Sequence, residues 1–141
     1  MPNASEHQDK CNHNRTFLNS GLVASNPCWA ATVAFYVAVH LVEKLATLNR
    51  TPPSHHTSHN KRELWLSRHP RHRVIFNEYE TLRDASQTSR YHTLHRFNSM
   101  FPSSVVQAQL IDNCLVTIEK YVAQVFTPPS PPATPSAASG S

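Results

Sequence analysis

Glycine is almost absent from this chain, and its absence excludes a class of functional site. The 141 residues contain two glycines, Gly21 and Gly140. The phosphate-binding loops GxGxxG and GxxxxGK[ST] each need closely spaced glycines. Two glycines so far apart cannot form either motif. The sequence therefore excludes nucleotide binding through a glycine-rich loop of these kinds.

Cysteine is scarce as well. The chain has three cysteines, Cys11, Cys28 and Cys114, and no CxxC pair. An odd number of widely separated cysteines argues against a disulfide framework and for a reducing compartment. The N-terminal segment MPNASEHQDK is polar and lacks the apolar run of a secretory signal. We therefore expect a cytoplasmic location.

Acidic residues are outnumbered by basic ones. The chain has 13 Lys and Arg against 9 Asp and Glu, a net charge of +4 when its 10 histidines are neutral. The histidines gain charge below about pH 6.5. This balance permits an anionic partner such as RNA without requiring one.

The longest apolar segment, PCWAATVAFYVAVHLVEKL, covers residues 27–45. A helix that is apolar on every face is typical of the centre of a bundle or of a membrane span. Asn26 can cap this helix, and Pro27 suits the first helical position. Thr32 and His40 interrupt the apolar run, which is shorter than the ~20 residues that a span needs. We therefore expect a buried core helix and no membrane association.

Four further helices are predicted around it, and no β-strand pattern or internal repeat occurs. A capping box from Asn3 to Glu6 starts a helix over about residues 5–19. Ser58 can cap a short helix that continues through Ser67. Helical spacing predicts a fourth helix over about residues 73–86, with Ile75, Tyr79 and Leu82 on its core face. The signals in residues 87–102 are mixed.

The last helix is predicted from Ser103 or Ser104, as its cap, to about Phe126. Its apolar positions alternate steps of three and four, as a core-facing helix requires: Ala108, Ile111, Leu115, Ile118, Val122 and Val125. We expect an all-α, single-domain bundle of about four or five helices over residues 1–126. The second helix should be central, against the fourth and the last. The Pro-rich residues 127–141 should be disordered.

Arg90 and His95 are the candidate catalytic pair. An arginine can neutralise charge on a phosphate, and a histidine can move the proton of a ribose 2′-hydroxyl. Such a pair suffices in principle for RNA cleavage without a metal. Five residues along a straight helix separate two side chains by ~140°. Arg90 and His95 therefore need a helix end, a bend or a second subunit to converge.

Three other regions provide candidate binding residues. His40, with Tyr36 one turn before it, is either a hydrogen-bonded core histidine or a functional group at the mouth of the bundle. Residues 55–73 contain five histidines and five Lys or Arg. Their arginines could bind phosphates while Trp65 stacks a base, or they could form a solvated face. The arginines are Arg62, Arg68, Arg71 and Arg73.

Several segments between Glu6 and Tyr121 resemble the HEPN superfamily of small helical bundles. They are EHQDKCNHNRTFL at residues 6–18, WAATVAFYVAVHLVEKL at 29–45, SHNKRELWL at 58–66 and YETLRDASQTSRY at 79–91. The order resembles an uncharacterised HEPN-like branch, in which a histidine ends a long apolar helix and His-x-x-Arg follows. Many HEPN proteins are metal-independent endoribonucleases of toxin–antitoxin and defence systems, and others bind nucleotides or proteins.

The resemblance implies that Arg90 stabilises phosphate charge and His95 acts as general acid and base. It also implies a homodimer that brings two such motifs together. In the family pattern a polar residue follows the arginine, and here Tyr91 stands there. The supporting or alternative site residues are His40, Tyr36, His59, Arg62, Trp65 and Tyr91. We expect RNA, a nucleotide or an antitoxin-like protein as partner, and no cofactor or metal.

Two alternatives come from other functional classes. The bundle could be a non-catalytic protein-interaction module whose histidines are structural. It could also be a metal-dependent hydrolase that uses His7, His40 and His59 as ligands. His55, His56 and His59 alone do not match a recognised zinc spacing.

Overall fold

The computed structural model describes residues 3–48 and 59–127, which are helical and contain no β-strand. This confirms the all-α bundle. The predicted tail beyond residue 127, together with Ser58, His55 and His56, lies outside the described residues. The helices are α1 (Ala4–Phe17), α2 (Pro27–Ala46), α3 (His59–Arg68), α4 (Phe76–Tyr91), α5 (Leu94–Met100) and α6, in which Ser103–Val105, Val106–Leu115 and Val116–Phe126 follow one another.

The first two helices begin where the capping residues predict. Asn3 Oδ1 accepts a hydrogen bond from the Glu6 amide at 2.9 Å, and Glu6 Oε1 accepts one from the Asn3 amide at 3.2 Å. These two bonds form the complete capping box. Asn26 Oδ1 likewise accepts from the Trp29 amide at 3.1 Å. The bonds that Asn3 and Asn26 accept satisfy amides that the helices leave without a partner.

Helix α2 is the centre of the bundle, as predicted. It packs against α1 as well as against α4 and α6. The rings of Phe35 on α2 and Tyr79 on α4 lie 5.4 Å apart, and both side chains are buried. By length and composition α2 could also cross a membrane, but 67% of its apolar window is buried in the bundle.

The chain turns back between α1 and α2 at a wide helical turn, Leu18–Leu22. Gly21 lies in this turn with φ +91°, in the left-handed region that glycine adopts without strain. The short turn Val23–Ser25 then leads to the cap of α2. A single glycine thus allows the two helices to pack side by side.

A second turn joins α3 to α4 through a histidine side chain. His69 Nδ1 accepts hydrogen bonds from the amides of Arg71 and His72, at 3.1 and 3.0 Å. The 3₁₀ turn His72–Ile75 follows and leads into α4. Helix α4 extends to Tyr91, beyond its predicted end near residue 86.

Two predictions for the last helix are wrong. Pro102 is its N-cap residue and no side chain caps it, because Ser103 and Ser104 already lie inside the helix. Ala108 is exposed, although the pattern placed it in the core. The segment Val106–Leu115 is π-helical, and its wider turns rotate Ala108 away from α2 while Leu110 is buried.

Candidate functional site

Histidine and arginine side chains from four helices gather beside α2. His7 lies on α1, His40 on α2, His59 and Arg62 on α3, and Arg90 on α4. These five residues are termed the Arg–His cluster. One side-chain hydrogen bond joins His7 to His40, and another joins Arg62 to His59. The charges of Arg62 and Arg90 both act on the ring of His59.

Arg62 anchors the cluster to the bundle. Its side chain is 8% exposed, and its Nε and Nη2 atoms donate to Glu43 Oε1 at 2.8 and 2.7 Å. Glu43 lies on α2, so this ion pair fixes α3 against the central helix. The guanidinium also lies near Tyr79, whose pKa burial raises to about 12. Removing either charge would leave the other one buried, which is strongly destabilising in proteins.

The hydrogen bond from Arg62 fixes the tautomer of His59. The atoms Arg62 Nη1 and His59 Nδ1 are 3.0 Å apart. A guanidinium can only donate, so Nδ1 must accept, and the neutral ring carries its hydrogen on Nε2. The ring lies 5.5 Å from that of Phe35. Partial burial and the charges of Arg62 and Arg90 lower the pKa of His59, which favours the neutral ring.

His7 and His40 form a second hydrogen-bonded pair. Their Nδ1 atoms are 3.2 Å apart, and both side chains are half-buried. Burial, followed by the neighbouring His7 ring, lowers the pKa of His40 to about 4, and burial also lowers the pKa of His7. Arg62 lowers the pKa of both rings, which places His40 and Arg62 in the same electrostatic environment.

Arg90 and His95 lie on opposite sides of a bend. Helix α4 ends at Tyr91, His92 is extended, and His95 is exposed in the first turn of α5. Arg90 Nε donates to the Ser86 carbonyl at 3.4 Å, and its guanidinium lies 5.5 Å from the centre of the Tyr91 ring. In the described part of the chain, no hydrogen bond or ion pair joins Arg90 to His95.

The aromatic candidates Tyr36 and Trp65 both pack against other rings of the protein. Tyr36 is half-buried on α2, with its ring 6.1 Å from that of Phe35. Trp65 is half-buried, and its ring lies 5.2 Å from that of His69 and 5.8 Å from that of His72. Trp65 therefore packs against the turn between α3 and α4. The neighbouring Arg68, Arg71 and Arg73 are exposed.

Sequence patterns did not identify the acidic partners of the arginines. Arg83 Nη1 lies 2.8 Å from Glu63 Oε2, and Arg83 Nη2 lies 3.0 Å from Asp84 Oδ1. Glu43 follows His40 by three residues, a spacing that puts both on one helix face and could have indicated its role. His7 has no such local signal, because it reaches His40 through the packing of α1 on α2.

The described residues contain no preformed cluster of metal ligands. Over residues 3–48 and 59–127, no group of three or more His, Cys, Asp or Glu side chains is placed to hold a metal ion. The structure therefore does not assemble His7, His40 and His59 into a three-ligand centre. An open concavity of about 640 Å³, lined in part by Arg15, Asn19 and Ser104, shares no residue with the Arg–His cluster.

No known protein family, curated protein or solved structure matches this chain. The resemblance to HEPN proteins therefore stays a prediction. The chemistry of the Arg–His cluster is the basis for the function proposed next.

Proposed function

We propose that this chain is a HEPN-like protein that binds RNA or nucleotides at the Arg–His cluster and acts as a metal-independent endoribonuclease of the toxin–antitoxin or defence type. The sequence segments that resemble HEPN proteins support the class. The basic net charge of +4 supports an anionic partner. The observation that carries the proposal is the uncompensated charge of Arg90.

The carboxylates near the cluster form ion pairs with arginines other than Arg90. Glu43 pairs with Arg62, and Glu63 pairs with Arg83. Among the described residues, no carboxylate lies within ion-pair distance of Arg90, which is exposed. An exposed guanidinium of this kind can donate two parallel hydrogen bonds to a phosphate. His59 adds the Nε2–H donor that its fixed tautomer provides.

The binding test compares Arg90→Ala with Lys120→Ala. Lys120 is exposed on α6 and its loss changes the net charge equally. We expect Arg90→Ala to weaken binding of a fluorescent single-stranded RNA about tenfold, since a charged hydrogen bond contributes about 1.5–3 kcal/mol. The slope of log affinity against log salt should fall by about 0.7. Equal affinities of the two variants would overturn the proposed binding site.

The cleavage test uses the same RNA in EDTA. Arg90 would stabilise phosphate charge and His95 would move the proton, so Arg90→Ala and His95→Ala should each slow cleavage by about 10²-fold or more. Cleavage at the wild-type rate by both variants would show that this catalytic assignment is wrong. Binding measured in parallel separates a lost reaction from a lost complex.

Exposed apolar side chains near Arg90 support a protein partner. Tyr91, Leu94 and Met100 are 77%, 60% and 52% exposed. A homodimer that brings two Arg90 sites together would cover them. We expect light scattering to give twice the monomer mass for the wild type and a monomer for Leu94→Lys. A monomeric wild type would overturn the dimer.

The same side chains favour a second candidate, the non-catalytic protein-interaction module. In that case the surface around α5 binds an antitoxin-like or other protein, and RNA is not cleaved. A wild-type protein that neither binds nor cleaves RNA, but in which Leu94→Lys abolishes self-association, would favour this candidate over the ribonuclease.

A further inference from the structure

A partly enclosed cavity of about 160 Å³ lies where α1, α2 and α6 meet. A water molecule needs only about 10–15 Å³ of such space, and an apolar cavity of roughly 150 Å³ can hold benzene. The volume is therefore suited to one ligand of about six non-hydrogen atoms. The cavity shares no residue with the Arg–His cluster, so a ligand site here is independent of RNA binding.

The base of the cavity is apolar and its rim is polar. Cys11, Leu41 and Val122 line it and are buried, whereas Asn12 and Ala123, which also line it, are exposed. Burial raises the pKa of the Cys11 thiol to about 12, so this group carries no negative charge at pH 7. A ligand that fits both parts has a short hydrocarbon chain with a polar group at one end.

Lys44 gives the rim a positive charge that no carboxylate compensates. Its Nζ donates to Gln8 Oε1 at 2.8 Å and lies 4.3 Å from the centre of the Phe126 ring, and both of these groups are neutral. Among the described residues, no carboxylate lies within ion-pair distance of Lys44. The other two charges in the cavity compensate each other, since Arg15 Nε lies 3.1 Å from Glu119 Oε2. The cavity therefore has one positive charge in excess, which favours a monoanion.

A chain of hydrogen bonds leaves donors at the rim. An ammonium can only donate, so Gln8 must present Oε1 to Lys44. The Gln8 Nε2 then donates to Asn12 Oδ1 at 2.8 Å. As a result, the Asn12 Nδ2 amide has no acceptor among the described residues, and the Lys44 ammonium keeps N–H groups beyond the one that Gln8 accepts. Both groups can donate to an anion.

We propose that this cavity binds a short aliphatic monocarboxylate. Its carboxylate accepts hydrogen bonds from Lys44 Nζ and Asn12 Nδ2, and its hydrocarbon chain packs against Leu41 and Val122. A charge-assisted hydrogen bond is about twice as strong as a neutral one, so a neutral molecule of the same shape binds more weakly. A ligand with an ammonium group would be repelled by Lys44.

Butyrate is the probe because its size matches the cavity, and butyramide is its neutral counterpart of nearly the same shape. An NMR titration at constant ionic strength follows the backbone amides of Cys11, Leu41 and Val122. We expect saturable shifts with a Kd of about 1 mM for butyrate and about tenfold weaker binding of butyramide. No saturable shift at these amides, or equal affinity for the two molecules, would overturn the proposal.

The variant Lys44→Met removes the charge and keeps an unbranched side chain against Phe126. Lys120→Met is the matched control, because Lys120 is exposed on α6 outside the cavity and its loss changes the net charge equally. We expect Lys44→Met to weaken butyrate binding about tenfold or more, and Lys120→Met to bind within about twofold of the wild type. Wild-type affinity in Lys44→Met would show that the carboxylate does not bind there.

Asn12→Asp tests the same site without a change in the core, since Asn12 is exposed. The new carboxylate keeps an acceptor for Gln8, competes for Lys44 and repels the ligand, so butyrate binding should weaken about tenfold. A folded Asn12→Asp protein, judged by circular dichroism, that binds butyrate as tightly as the wild type would also overturn the proposal.

Discussion

His72 should make the stability of this protein depend on pH. The residue is 3% exposed, and its Nδ1 lies 2.6 Å from Tyr121 Oη. Burial lowers its pKa from 6.5 to about 4. Between these values the unfolded chain binds more protons than the folded one. The contribution of neutral His72 is therefore present in full above pH 6.5 and is lost as the pH falls towards 4.

The size of this effect follows from the displaced pKa. Linkage gives a loss of about 3 kcal/mol by pH 4, of which roughly 2 kcal/mol is lost between pH 7 and pH 5. A domain of this size is stable by about 5–15 kcal/mol, so the loss is readily measured.

The measurement is urea unfolding, followed by circular dichroism, at pH 7 and pH 5. His72→Asn keeps an acceptor for Tyr121 and removes the titrating ring. Any pH-independent effect of the substitution on packing cancels when the free energies of unfolding at pH 7 and pH 5 are subtracted. The contributions of the other histidines cancel between the two proteins. We expect the wild type to lose about 2 kcal/mol more than His72→Asn over this interval.

Tyr121→Phe tests the cause. Burial is the main reason for the lowered pKa, so this variant should retain most of the pH dependence. The reasoning is refuted if wild type and His72→Asn lose the same free energy of unfolding between pH 7 and pH 5.

Three further predictions concern the fold. Gly21→Ala should destabilise by about 1–2 kcal/mol in urea unfolding, because φ is +91° although nothing lies within 4 Å of the added Cβ; an unchanged midpoint would contradict it. Leu82→Ala, fully buried, should lose about 2–5 kcal/mol, whereas Leu94→Ala, exposed, should stay within about 0.5 kcal/mol; equal losses would refute this core assignment. Burial raises the pKa of Cys11 to about 12, so iodoacetamide at pH 8 should label it in urea only, and native labelling seen by mass spectrometry would contradict this.

The parts of the fold that depend on local signals were predictable. The capping residues Asn3 and Asn26 fix where α1 and α2 begin, and the apolar faces of α2 indicate its central position. The π-helical turns of α6, which pack against α2 and α4, were not predictable, because the spacing of apolar residues was interpreted with the α-helical repeat. Ala108 was misplaced for this reason.

The candidate site was predictable only in part. The bend between Arg90 and His95 was not predicted, because the signals in residues 87–102 are mixed and the spacing alone does not bend the chain. The partners of Arg62 and His40 depend on the register of α3 and α1 against α2, which no sequence spacing encodes. The sequence could thus name His40, His59 and Arg62 separately but not join them.

The Arg–His cluster takes its residues from four helices, and this has a practical consequence. A ligand that binds there prefers the assembled bundle to the unfolded chain, so mass action must raise the melting temperature. At a ligand concentration of about 100 times Kd, the gain is about 2.7 kcal/mol. Thermal denaturation in the presence of candidate nucleotides and RNA fragments would therefore reveal a ligand before any activity is known.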